Sequence, residues 1–422
     1  MDTYTESLEN RARDINPEDD IDYSAALTEV VSMFRNFDEA LDTFLVRHGY
    51  TGSRQDIDGK TAFIKSRFEQ KQIPLPRNIR KWYTEHKRIK KETAIRICFA
   101  FGLSVEESED FMRRICLLRG FDCHKVEEVI HFYAISNGLD YAETQKLLKK
   151  APRPNPERLD FGEEVLYTAS IIAAVRRFRS PEELIRYISG NIEQFGYNNA
   201  TAYRYIRRMW EEISGEEGLA SKEKKKLYRA FDDTDREIKE ERAGEPEAHR
   251  RARSTRAPGS GDSLWEIFLQ ILGLSGNRIA KLNTDRSLKP ILRDNELLHA
   301  WAEDSFPSRG GLEKILNGEH ASEQLVHKTI ILLVFYRFWV KTALKRNDYQ
   351  ACGGDTGRCI CEINRYLLDT GYPQLYPGDP FDWIILHAVE NEFPLLVFRD
   401  FMQELFYVKE CDIDARYAAE WS

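Results

Sequence analysis

The sequence lacks any apolar run long enough to cross a bilayer. Its longest one, IILLVFYRFWV at 330–340, is well short of the roughly 20 residues that a transmembrane helix needs, so we predict a buried helix there. The first residues, MDTYTESLENRARDINPEDDID, contain no apolar stretch of the kind found in signal peptides. Seven cysteines scattered through a chain that has no such signal are expected to be reduced thiols rather than a disulfide framework. Together these features predict a cytoplasmic protein without membrane contact.

Motifs of familiar catalytic and metal sites are also missing. No G-x-S-x-G, H-E-x-x-H or paired-carboxylate pattern occurs, and GGDTG at 353–357 lacks the frame of a phosphate loop. The cysteines of CGGDTGRCIC at 352–361 fit no zinc spacing, which favours a flexible loop with free thiols. Four histidines lie in mostly apolar, helical stretches and are expected to fill core or surface positions: His131, His299, His327 and His387. We therefore predict no cofactor, no metal and no enzymatic activity, with an enzyme of unrecognised chemistry as the least favoured reading.

Patterns of alternating polar and apolar residues, which indicate strands, are equally scarce, whereas helical spacing occurs almost throughout. Val126, Val129, Ile130 and Tyr133 follow the i, i+3, i+4, i+7 spacing of one helix face. Helix starts are marked by capping boxes at Ser104–Glu107, Ser180–Glu183 and Ser263–Glu266. The sequence thus predicts an all-α protein.

Composition divides the 422 residues into several regions. With 42% hydrophobic residues the chain can bury more than one core. We predict a disordered tail over 1–25, a first helical module with a helical tail over 26–152, and a helical middle block over 160–235. Residues 236–262, in which Ile238 is the single large apolar residue, are predicted to be a flexible linker, so that a cut within them releases two soluble fragments. A second helical module with its tail follows over 263–422.

The two modules share an internal pattern. FGLSVEESEDFMRRI at 101–115 recurs loosely as NGLDYAETQKLLKKA at 137–151, and the arrangement around Gly120–Phe121 returns near Gly371–Tyr372. Each copy is preceded by a helix, a turn and a second helix. KTAFIKSRFEQKQIP leads into LPRNIRKWY, and DNELLHAWAEDS leads into FPSRGGLEKIL. This is the order of a helix-turn-helix, whose second helix, the recognition helix, lies in the major groove.

The succession of recognition helix, polar link and apolar helix resembles the Xre-type family of phage-repressor-like helix-turn-helix proteins. Trp82, Ile97, Phe99 and AFGLSVEE at 100–107 match its pattern in the first copy, and Ile315, Gly318 and Ser322 match it in the second. The first copy departs from the pattern by having KQIPLP in its turn, and the second by having Gly310–Gly311 at the start of its recognition helix. The resemblance implies DNA binding, although helix-turn-helix folds also serve as protein-contact modules.

Positive charge is concentrated in the first copy. Between Arg54 and Arg96 there are thirteen basic and five acidic residues, although the whole chain carries a net charge of −8. Such a local excess is suited to phosphate binding, because Lys and Arg displace the counterions condensed on DNA. A solvated helix face is the alternative. The residues expected to contact double-stranded DNA are Arg77, Asn78, Arg80, Lys81, Lys87, Arg88, Lys90 and Lys91.

In the second module the corresponding positions are Ser308, Arg309, Lys314 and Asn317. This module is more acidic, and we expect it to hold a protein partner or a second copy of the chain. The preferred function is DNA binding as a regulator or as a component of a mobile-element or defence locus. The alternative is a non-enzymatic interaction scaffold built on helical repeats, which predicts a large exposed apolar groove.

Overall fold

The computed structural model describes residues 3–15, 26, 29–30, 33–85, 89–154, 168–196, 200–226, 264–274, 309–346 and 348–405. Within these residues the protein is all-α and contains no strand, as the sequence predicts. The helices named below are α1 (Thr3–Asp14), α2 (Phe37–Arg47), α3 (Ile57–Gln70), α4 (Lys81–Thr84), α5 (Lys91–Phe101), α6 (Val105–Asp110), α7 (Val126–Ser136), α8 (Tyr141–Lys150), α9 (Thr168–Val175), α10 (Pro181–Gly190), α11 (Ala200–Ser214), α12 (Leu264–Ile271), α13 (Arg309–Leu316), α14 (Glu323–Arg346), α15 (Asp355–Asp369), α16 (Pro380–Glu390) and α17 (Pro394–Leu405).

Helix starts and ends in the first half follow the predicted signals. The Ser104 and Ser180 side chains both accept hydrogen bonds from the backbone N–H three residues on, which confirms the two capping boxes. Gly102 ends α5 in the left-handed conformation with φ of 64°, and Gly138 ends α7 in the same way with φ of 67°. The loose repeat at 101–115 and 137–151 is therefore also a repeat of local structure. The predicted box at Ser263 begins outside the described residues.

Buried side chains between Phe37 and Phe195 form one continuous hydrophobic core, called the first core below. Trp82 is buried in it, and its indole meets the ring of Phe37 edge-on with the ring centroids 6.4 Å apart. The helices α9 and α10 pack against α7 and so belong to the same unit.

A second core surrounds α14, whose residues 330–340 are almost entirely buried. The buried helix predicted there is confirmed, and none of the helices described combines the length and apolar character that crossing a membrane requires. The helices α11, α13, α15, α16 and α17 pack around α14. We call this the second core.

The two cores do not follow the predicted domain boundaries. The middle block 160–235 is divided, because Ile171 to Phe195 lie in the first core whereas Ala202 to Ala220 lie in the second. Periodicity predicted that these helices bury one face, but it does not indicate the partner of that face. The predicted linker at 236–262 lies outside the described residues.

The predicted disorder of residues 1–25 is wrong for α1. This helix packs along α16, and Leu8 and Ala12 are buried there. Two side chains of α16 bind its backbone, since the indole N–H of Trp383 donates to the carbonyl oxygen of Leu8 (2.9 Å) and His387 Nδ1 lies 2.9 Å from that of Ala12. Isolated short helices are only marginally stable in water. The contact with α16 therefore provides the stabilisation that the polar sequence of α1 does not.

Replacing Trp383 with phenylalanine should lower the free energy of unfolding by about 1–3 kcal/mol. The smaller phenyl ring leaves a cavity at this fully buried position, and the carbonyl oxygen of Leu8 loses the indole N–H donor. Urea denaturation of the full chain measures the loss, and amide exchange should show faster opening within α1. Unchanged amide exchange rates in α1 would contradict its attachment through the hydrogen bond from Trp383 to Leu8.

Candidate functional site

The segment predicted as the first recognition helix is mostly not helical. Residues 77–80 form turns, Asn78 adopts a left-handed conformation with φ of 60°, and α4 has only four residues before it ends at Glu85. At 1.5 Å per residue such a helix is about 6 Å long, too short to lie along a major groove. Asparagine tolerates the left-handed conformation better than most residues, and this is the sequence signal for a turn that the helical prediction overlooked.

The same segment is anchored on one side and exposed on the other. Ile79, Trp82 and Tyr83 are buried in the first core. The predicted DNA-contacting residues that the structure describes in this stretch are exposed: Arg77, Asn78, Arg80, Lys81 and Lys90. We call the cations among them, which are Arg77, Arg80, Lys81 and Lys90, the basic turn. Lys87 and Arg88 lie outside the described residues.

Surface carboxylates partly balance the basic turn. Arg80 pairs with Asp58, and Lys81 pairs with Glu85 at 2.7 Å, but all four side chains are about half exposed or more. Exposed pairs of this kind contribute only about 0–1 kcal/mol, so a phosphate group can compete for these cations. In the described part of the chain, no ion pair joins Arg77 or Lys90 to an acidic side chain.

Other cations of the basic region serve the fold instead. The Lys60 ammonium is buried, pairs with Asp42 at 2.7 Å and lies 4.2 Å from the ring centre of Tyr83. Arg96 donates to the carbonyl oxygen of Pro74 at 3.3 Å. The local excess of positive charge in the sequence therefore overstates the charge available at the surface.

Lys91 was predicted to hold a DNA phosphate, but the structure gives it an internal role. Its ammonium pairs with Glu128 at 2.7 Å, donates to the carbonyl oxygen of Gly120 at 2.6 Å and lies 3.6 Å from Glu323. Because Glu323 opens α14, this contact joins the first core to the second. Lys91 is largely buried and is not available to DNA.

A network of charged residues continues this junction, which we call the polar seam. Arg119 and Asp122 are both fully buried and pair at 2.8 Å. The Arg119 guanidinium also donates to the carbonyl oxygen of Thr370 and stacks on the ring of Tyr372, 4.8 Å away, while Lys125 reaches Glu323 at 3.4 Å. Sequence reasoning missed this seam, because a charged segment between two apolar helices is normally solvated.

The buried pair makes stability depend on pH. Burial raises the pKa of Asp122, but Arg119 and Lys125 outweigh it and lower that pKa to about 2. A lowered folded-state pKa stabilises the fold above the ordinary value of 3.8, and the stabilisation is lost as the pH falls towards 2.

We expect Asp122 to account for a loss of about 1 kcal/mol of unfolding free energy between about pH 6 and about pH 3. Urea denaturation at the two pH values measures it. The same comparison on Asp122→Asn, which cannot titrate at this position, should show a fall smaller by that amount. An equal fall in both proteins would contradict the assignment.

Of the four site residues predicted in the second module, the structure describes the side chains of two, Lys314 and Asn317. Leu312 and Ile315 of α13 are buried in the second core, and Lys314 and Asn317 are exposed. The end of α13 is held by α11, since Arg207 Nε donates to the carbonyl oxygen of Leu316 at 3.0 Å. Ser308, the Arg309 side chain and the helix predicted to precede them lie outside the described residues.

The predicted cysteine loop is wrong in part, because α15 begins at Asp355 and contains Cys359 and Cys361. Cys359 is buried in the second core, where its role is packing, whereas Cys361 and Cys352 are exposed. Among the described residues no group of His, Cys, Asp and Glu side chains has a metal-binding arrangement.

A cluster of titratable groups lies beside the polar seam. Burial lowers the pKa of His327 to about 4, and burial together with Asp379 raises the pKa of Asp382. Burial thus favours the neutral form of both side chains. The cavity that they share with Arg119 and Tyr372 has a volume of only about 30 Å³, room for about one water molecule and too small for a substrate.

Comparison of the chain with protein-family models, with curated proteins and with solved structures finds no match.

Proposed function

We propose that the protein binds double-stranded DNA through its backbone, using the basic turn as the contact surface. The observation that supports the proposal is that the segment containing the basic turn has one buried side and one exposed side. Its apolar side chains are buried in the first core, and its four cations are exposed. A rigidly held turn that presents exposed cations can meet phosphates without losing much conformational freedom.

The contact proposed is with phosphates rather than with base edges. Arg77 and Asn78 precede α4, and α4 is a single helical turn. Direct readout requires side chains that a helix or ribbon carries deep into a groove, whereas phosphate contacts require only accessible cations. The proposal therefore keeps the DNA partner that the resemblance implies and replaces sequence reading with backbone contact.

The interaction scaffold is less well supported by the described residues. It predicts a broad exposed apolar groove. The large apolar side chains that are exposed come from four separate elements: Val46, Leu75, Leu368 and Leu396. Single exposed apolar residues are common on soluble proteins and do not indicate a docking surface.

Selection from a random duplex library tests this proposal. The full chain, mixed with the library at low salt, should retain DNA without enriching any sequence. Arg77→Gln should then weaken binding to two unrelated duplexes by the same factor. A strongly enriched sequence motif, or an effect of Arg77→Gln on one duplex alone, would show base reading. Failure to retain any DNA would contradict the proposal altogether.

A further inference from the structure

A cleft of about 310 Å³ lies where four parts of the chain meet. The parts are α1, the helix α2 with the residues just before it, the turn that continues α6, and the loop around residue 376. The side chains that matter below are Tyr4, Arg35, Thr43, Arg47, Arg114 and Tyr376. Pockets for small ligands are typically about 300–1,000 Å³, so the cleft is at the small end of that range.

Positive charge dominates the cleft. Three guanidinium groups line it, from Arg35, Arg47 and Arg114, and among the described residues of the lining Asp110 supplies the sole carboxylate. Asp110 binds Arg114 through Nε at 2.9 Å, an arrangement that engages one edge of the guanidinium. Arginine is well suited to phosphate, because its planar group can donate two parallel hydrogen bonds.

Aromatic and apolar side chains complete the lining. The Arg35 guanidinium stacks on Tyr4 at 4.0 Å from the ring centre, and the Arg114 guanidinium lies 5.8 Å from that of Tyr376. Phe37 and Ile115 add apolar surface between these pairs. A ligand that fits must therefore carry both an anionic group and a flat, partly apolar body.

The backbone beside Arg114 is irregular in two independent ways. Phe111–Ile115 forms a π-helical turn, and Leu117, which also lines the cleft, has φ of 50°. Gln324 donates to the carbonyl oxygen of Leu117 at 3.3 Å, so α14 of the second core helps to hold this conformation. Both features are costly and occur frequently at functional sites.

We propose that this cleft binds a nucleoside monophosphate. Arg47 and Arg114 hold the phosphate, and the base rests against the tyrosine and apolar lining. The cleft includes residues of α1, of the first core and of the loop before α16, so a bound ligand stabilises the assembled arrangement of these parts. This binding is separate from the contact of the basic turn with DNA, because none of its residues belongs to that turn.

Isothermal titration calorimetry of the full chain with AMP, GMP, CMP and UMP tests the proposal. At least one of them should bind, and adenosine without phosphate should bind at least about tenfold more weakly than AMP if AMP is a ligand. Arg47→Gln and Arg114→Gln should each weaken binding roughly tenfold or more. The matched control is Arg186→Gln, an exposed arginine on α10 that does not line the cleft, and it should leave the affinity unchanged.

Three results would overturn the proposal. The first is that none of the four nucleotides binds. The second is that Arg114→Gln binds as tightly as the parent chain while its thermal unfolding is unchanged. The third is evidence of a general phosphate surface rather than a nucleotide site. Either tight binding of inorganic phosphate, equal to that of the nucleotides, or displacement of the nucleotides by duplex DNA would provide it.

Discussion

Replacing Arg399 with methionine should lower the free energy of unfolding by about 3–5 kcal/mol. The Arg399 guanidinium makes two bonds to Glu223, Nη1 to Oε1 at 3.0 Å and Nη2 to Oε2 at 3.1 Å, and the Glu223 side chain is fully buried. Burial raises the pKa of Glu223, but Arg399 and two neutral donors, Gln270 and Tyr336, outweigh it and lower that pKa. Without the arginine, a charged carboxylate would remain in the second core with too few partners.

The double variant Arg399→Met/Glu223→Gln separates this mechanism from a packing defect. Removing both charges should restore most of the lost stability, because replacing a whole buried pair is far less costly than breaking it. Lys341→Met is the control, since Lys341 pairs with Glu212 at an exposed site and should cost at most about 1 kcal/mol. Urea denaturation measures all three proteins. A double variant as unstable as the single one would contradict the charge argument.

A protease site inserted within 244–260 should yield two fragments that remain associated. The side chains before the cut that lie in the second core include Tyr203, Ile206, Met209 and Ile213, all of them buried against residues that follow the cut. Exposing each of them would cost about 1.5–3 kcal/mol, which together outweighs the entropy gained on separation. This expectation reverses the two soluble fragments that composition alone predicted.

Size-exclusion chromatography of the cut protein distinguishes the two outcomes. In native buffer the fragments should elute together at the volume of the uncut chain, and in concentrated urea they should separate. Two folded fragments that elute apart in native buffer would show that the second core does not need α11.

The sequence predicted those features that depend on local chemistry. The all-α fold, the capping boxes at Ser104 and Ser180 and the buried helix at 330–340 all follow from spacing and from a few residue types.

The features that it did not predict depend on long-range contacts. The polar sequence of α1 forms a helix because α16 offers Trp383 and His387 to its backbone. Lys91 has the composition of a surface cation, yet Glu128 and Glu323 bring it into the polar seam. Asn78 ends the predicted recognition helix through one left-handed dihedral angle, which a helical pattern does not reveal. Local propensity is easily overridden by such contacts.

The salt dependence of DNA binding tests the central claim most directly. The logarithm of the affinity for a mixed-sequence duplex should fall linearly with the logarithm of the salt concentration, by about 0.9 for each phosphate contact. Neutralising the basic turn with Arg77→Gln, Arg80→Gln, Lys81→Gln and Lys90→Gln should reduce that slope by up to about 3.6 and weaken binding at every salt concentration. The matched control removes four other exposed cations, with Lys146→Gln, Lys149→Gln, Lys150→Gln and Arg186→Gln, and should keep most of the slope. Equal slopes for the two quadruple variants, or no binding of the folded parent chain at low salt, would contradict DNA contact through the basic turn.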